Sequence, residues 1–147
     1  MTRIRFVLAL FAIAGAAALQ ADLKKALAEP DLEKRSKLAL DNAFAAYQGA
    51  RDAYQKGEME QVQADIDEIE QSVDLAYQSL TDTGKNPRRS PKWFKSAELA
   101  TRDLARRIAS LQDQMSYADR TLLDKVKARV QQVHDELLLG LMEGKKK

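Results

Sequence analysis

The 147-residue chain has no cysteine, only three prolines and six glycines, and a single histidine and a single tryptophan. Without cysteine there are no disulfides, no thiol nucleophile, no CxxCH haem attachment, no thiolate zinc site and no lipidated-cysteine anchor. The one histidine, His134, would need company to act as a metal ligand. Aromatics make up 6% of the chain and charged residues 31%, a balance that fits a helical body rather than a sheet. The expectation is an all-α, non-enzymatic protein with no cofactor and no metal.

What is present begins with a targeting pattern. Arg3 and Arg5 precede an apolar run from Phe6 to Leu19, and small residues follow. This is the layout of a helical signal peptide over residues 1–21, with cleavage after Ala18 or Ala21. The run is shorter than the ~20 apolar residues that span a bilayer. The chain is therefore read as exported, periplasmic or secreted. Its formal charge of +2 includes both of those arginines, so residues 22–147 carry 22 basic and 22 acidic groups. A neutral exported body gives no reason to expect a nucleic-acid partner. The balance is uneven along the chain: residues 22–83 hold 7 basic and 14 acidic groups, and residues 84–147 hold 15 and 8.

Periodicity predicts four long helices, each of roughly 20–26 residues and about 30–39 Å. After a short helical stretch at Asp22–Ala28, Pro30 fits the first turn of the first long helix. Its seam is Leu32, Ser36, Ala39, Ala43, Ala46, Ala50 and Ala53, widened by Leu40, Phe44, Tyr47 and Tyr54, with Glu33→Lys37 as a supporting pair. Gly57 ends it. The second seam is Met59, Val62, Ile66, Ile69, Val73, Ala76 and Leu80, with Asp65, Asp67, Glu68, Glu70 and Asp74 on an outer, solvated face that lacks the glycine turn of a calcium loop. The third is Phe94, Ala97, Thr101, Leu104, Ile108, Leu111 and Met115, with surface pairs Glu98→Arg102 and Asp103→Arg107. Ser116-Tyr117-Ala118-Asp119 is a capping box that starts a fourth helix with the seam Leu123, Val126, Val130, Val133, Leu137 and Gly140. The short turn at Gly57 makes the first two helices an antiparallel hairpin. The expected architecture is one domain over 22–147: hairpin 31–83, elbow 84–91 and hairpin 92–144, packed as a four-helix bundle. The alternative is an extended pair of hairpins in partial contact. The alanine seam leaves two expectations, tight packing within the chain or a homodimer along that face.

Two local patterns carry resemblances. Ala53-Tyr54-x-x-Gly57-x-Met59-x-x-Val62 resembles the turn between the helices of a tetratricopeptide-type repeat, which implies a peptide-binding scaffold. The run from His134 to Gly144, with the Ser90-Pro91-Lys92 helix start, resembles uncharacterised exported bacterial helical-bundle proteins, which implies an exported helical setting and no particular chemistry. Metal and haem sets are incomplete. Gln131 stands where a di-iron bundle needs the glutamate of Glu-x-x-His, and His134-Asp135-Glu136-Leu137-Leu138 is not His-Glu-x-x-His. Met59 opens the second helix and Met115 closes the third, unlike the early first-helix methionine of cytochrome b-type bundles.

The elbow stands out from this background. Gly84 to Lys95 holds two of the three prolines, the only tryptophan and five basic residues. Arg88, Arg89, Lys92 and Lys95 surround Trp93 and Phe94 where Ser90 is placed to cap a helix and Pro91 to sit at its first position. Such a cluster suits a phosphate, a carboxylate or anionic headgroups. The candidate contact residues are Arg88, Arg89, Lys92, Trp93 and Lys95, and the expected partner is an unknown protein or an anionic envelope component. The competing expectation is internal: the basic elbow packs beside the acidic first hairpin while Trp93 and Phe94 plug the bundle end.

Overall fold

The computed structural model describes residues 22–144; the segment read as a signal peptide, 1–21, and the lysines 145–147 lie outside the described residues. Five α-helices follow in order: α1 (Lys24–Leu27), α2 (Leu32–Gln55), α3 (Met59–Asp82), α4 (Pro91–Gln114) and α5 (Asp124–Glu143), with a 3₁₀ turn at Arg120–Leu123 before α5. There is no strand among the described residues. The four long helices form a bundle in which α2 pairs with α3 and α4 with α5. Across the two hairpins, α4 packs on α2 and α5 on α3. The elbow therefore links α3 to α4 across a diagonal of the bundle end.

The seams form because their residues repeat at about 3.5 positions and leave water together. Ala39, Ala43, Ala46, Ala50 and Ala53 of α2 are buried, as are Val62, Ile66, Ile69, Val73, Ala76 and Leu80 of α3. The seam from Phe94 to Met115 is buried throughout, and so are Leu123, Val126, Val130, Val133 and Leu137. One hydrophobic cluster draws residues from all four long helices and takes in Ala26 of α1. The alanine seam is covered by the chain's own helices, so a homodimer would need another face. Met59 departs from its seam and is exposed, because it lies in the first turn beyond the partner helix.

Helix ends account for the other departures. Gly57, at φ +72°, ends α2 with Gly57 N–H to Tyr54 O and Glu58 N–H to Ala53 O, the paired closure that a left-handed glycine permits. At the start of α2, Asp31 and not Pro30 sets the boundary: its carboxylate accepts the Lys34 N–H at 3.0 Å. Glu33 pairs with Lys85 of the elbow, and Lys37 with Asp41, so the expected Glu33–Lys37 pair does not form. Ser116 and Asp119 do not begin α5. Ser116 Oγ donates to Asp119 Oδ2 at 2.8 Å inside the α4–α5 turn, Tyr54 Oη donates to the same oxygen at 3.0 Å, and the Ser116 N–H donates to Tyr54 Oη at 2.9 Å. This triangle closes the end of the bundle opposite the elbow.

Charges read as surface features turn out to be joints. Asp65 is buried, and Glu68 accepts hydrogen bonds from the Leu23 N–H and from Asn42 Nδ2, which fixes α1 over the first hairpin. Glu70 pairs with Lys125 and Asp74 with Arg129, joining α3 to α5. Glu98 is buried rather than exposed and is shared by Arg102 and His134 Nε2, the latter at 2.9 Å. His134 is thus a boundary residue that bridges α5 to α4.

Candidate functional site at the elbow

The elbow is built by Asn86. Its carbonyl accepts the Arg89 and Ser90 N–H groups at 3.1 and 2.9 Å, and its side-chain oxygen accepts the Arg88 N–H at 3.0 Å. An asparagine before a proline favours a turn over a continued helix. Gly84, at φ +66°, first releases the chain from α3. Three attachments then fix the turn to the bundle. Pro87 is buried and lies so close to α5 that a Cβ on Gly140 would be 3.3 Å from its ring. Phe94 is buried, and Lys85 pairs with Glu33 of α2.

With the backbone held, the cations project. Arg88, Arg89, Lys92 and Lys95 are all exposed, and none of the four forms an ion pair among the described residues. Lys92 Nζ lies 5.2 Å from the Trp93 ring centroid, within cation–π range. Trp93 is half-buried and forms a ridge between two shallow grooves, of about 250 Å³ toward α2 and about 210 Å³ toward the elbow. Both grooves contain a carboxylate, Asp41 in the first and Glu33 in the second. A third groove of about 170 Å³ runs under Pro87 between Tyr77 and Glu136, where burial, and then the adjoining Glu136, push the Tyr77 phenol above its ordinary range.

The start of α4 is electrostatically unlike the other long helices. α2, α3 and α5 each carry an acid in the first turn, Glu33, Glu60 and Asp124. α4 has none, and Ser90 makes no side-chain capping bond, contrary to the sequence expectation. A helix N-terminus already carries about half a positive charge, which cations make worse. Here Lys92 is in that turn, Lys95 opens the next one, and Arg88 and Arg89 just precede the helix.

All five sequence-predicted residues, Arg88, Arg89, Lys92, Trp93 and Lys95, thus fall at one end of the bundle. The sequence did not reveal the scaffold residues Asn86, Pro87 and Gly140; the Asn-Pro pair was the available signal, since it marks a turn. Among the described residues no cluster of three or more His, Asp and Glu is arranged to hold a metal ion, and no helix is long and apolar enough to cross a membrane. The chain matches no protein-family model, no curated protein and no solved structure.

Proposed function

We propose that the chain is an exported, non-enzymatic helical protein that works by binding or scaffolding, and that it meets an anionic partner through the elbow. Arg88, Arg89, Lys92 and Lys95 form the contact and Trp93 is its packed anchor. The observation that carries this reading is the bare positive start of α4: four exposed cations, no capping side chain and no first-turn acid. A folding role would place carboxylates there, as the other long helices do. Lys85 shows the contrast, since it is the elbow cation that the acidic first hairpin does engage.

Export rests on the Arg3/Arg5 pair and the apolar run after it. Intact mass of protein recovered outside the cytoplasm should begin at Leu19 or Asp22; recovery of the full-length chain in membranes alone would contradict it. The contact is tested by capture from an envelope extract, comparing the wild type with an Arg88→Ala/Arg89→Ala/Lys92→Ala variant. The wild type should retain material that salt releases, because exposed charges are screened beyond ~8–10 Å near physiological ionic strength. Equal retention by both proteins would remove the elbow from the functional account.

A further inference from the structure

We propose that the outer stripe of α4 docks on the outer stripe of α3 of a second copy of this chain. Lys92, Lys95, Leu99, Arg102 and Arg106 are all exposed, and their 3-4-3-4 spacing places them on one face of α4 over about 21 Å. The buried seam of α4 faces the other way. Leu99, 48% exposed, lies at the centre of the stripe with cations on both sides. Lys92 and Lys95 belong to the elbow as well, but the stripe continues down α4 beyond it. The acids nearby leave it positive. Of the three on α4, Glu98 is buried against Arg102, Asp103 is shared by Arg106 and Arg107, and Asp113 stands about two turns past Arg106. Around the elbow, Glu33 is held by Lys85 and Asp41 by Lys37, and Glu136 lines the groove on the Tyr77 side.

The complementary surface is on α3. That helix has seven acids and no lysine or arginine. Glu60, Asp67, Asp74 and Asp82 recur every seven or eight residues along its outer face, with Ala64, Gln71 and Gln78 between them. Arg129 of α5 holds Asp74, while the other three form no ion pair among the described residues. Asp67 and Asp82 accept hydrogen bonds from Gln63 and Gln78 of their own helix instead. The molecule thus carries both halves of a charge-complementary helix pair, each repeating at the spacing at which helix surfaces meet. α3 and α4 occupy opposite corners of the bundle, so the two stripes cannot meet within one chain. Residues 22–147 carry 22 basic and 22 acidic groups, so no net repulsion holds two copies apart. The contact is heterologous, and it leaves one stripe of each kind open to a further copy.

The test is sedimentation velocity of residues 22–147, which contain the whole described bundle. In low salt the sedimentation coefficient should rise with concentration, and high salt should return it to the monomer value. Asp67→Lys/Asp82→Lys and Leu99→Glu/Arg106→Glu should each weaken association on the order of tenfold or more, because like charges then face each other. An equimolar mixture of the two variants should associate again, since each supplies the stripe that the other has lost. Circular dichroism checks that the variants fold, and Asp67→Lys or Arg106→Glu alone replaces a double variant that does not. A wild type that stays monomeric in low salt, or variants that associate as it does, would overturn the proposal. A mixture that stays monomeric would overturn the heterologous pairing. Binding of poly-L-glutamate by a monomeric wild type, lost in Leu99→Glu/Arg106→Glu, would overturn the second copy as the partner. None of these variants alters Arg88, Arg89, Lys92 or Lys95, so each of these failures leaves the elbow reading to be decided by envelope capture.

Discussion

Asp65 is the residue whose chemistry fits its surroundings least. It is buried on α3 against Gly49 of α2, where a Cβ would lie 2.8 Å from its carboxylate oxygen. Burial raises its carboxyl pKa and the nearby Glu68 charge adds to this, while a hydrogen bond from Gln61 opposes it. A carboxyl pKa raised by folding gives stability that is full below the unfolded pKa and lost as pH rises through the folded one. Ionised Asp65 therefore costs stability at neutral pH. Asp65→Asn should raise the unfolding free energy there by on the order of 1 kcal/mol, and the gain should fade as pH falls through the carboxyl range. Urea denaturation at neutral and acidic pH checks this; no gain at neutral pH, or an equal gain in acid, contradicts it. Gly49→Ala should lose about 1–3 kcal/mol by crowding the same contact. The sequence placed Asp65 on a solvated face because an acid usually lies there. The small residues of α2 let the helices approach until that flank is covered.

At the scale of elements, the seams were legible and the ends were not. A heptad pattern is local, so the apolar seam from Val62 to Leu80 and the seam from Phe94 to Met115 could be placed from spacing alone, whereas the buried Asp65, Ser72, Ser79 and Glu98 could not. End chemistry depends on what tertiary structure brings near. Ser116 and Asp119 have capping-box spacing, but Tyr54 recruits them into a clasp. Glu98 has the spacing of a surface pair, but His134 of α5 meets it in the interior. Two predictions belong here. Tyr54→Phe removes a donor to Asp119 and an acceptor from Ser116, and should cost about 1–2 kcal/mol, read by denaturant midpoint. Leu104→Ala or Ile66→Ala should cost ~2–5 kcal/mol, since both side chains are buried mid-bundle. A loss within the surface range of about 0.5 kcal/mol would mean that these seams do not pack as described.

Over the whole molecule, the charge split between the halves has a structural use and a remainder. Arg129–Asp74, Lys125–Glu70 and Lys85–Glu33 join the basic second half to the acidic first. The sequence raised this internal role for the elbow, and Lys85 fulfils it. Arg88, Arg89, Lys92 and Lys95 do not, because Asn86, Pro87 and Phe94 already fix the turn and leave these side chains projecting from it. The location of the cluster was legible because proline, tryptophan and five cations coincide there. That its four outer cations form no ion pair among the described residues was not, since that depends on where α2 and α5 hold their acids. The central claim is that these cations are not needed for folding. Urea denaturation of the Arg88→Ala/Arg89→Ala/Lys92→Ala variant tests it most directly. The account predicts a stability within about 0.5 kcal/mol of the wild type, or slightly above it as cations leave a helix N-terminus. A loss of about 2 kcal/mol or more would show that the elbow holds the bundle together, and would contradict the account.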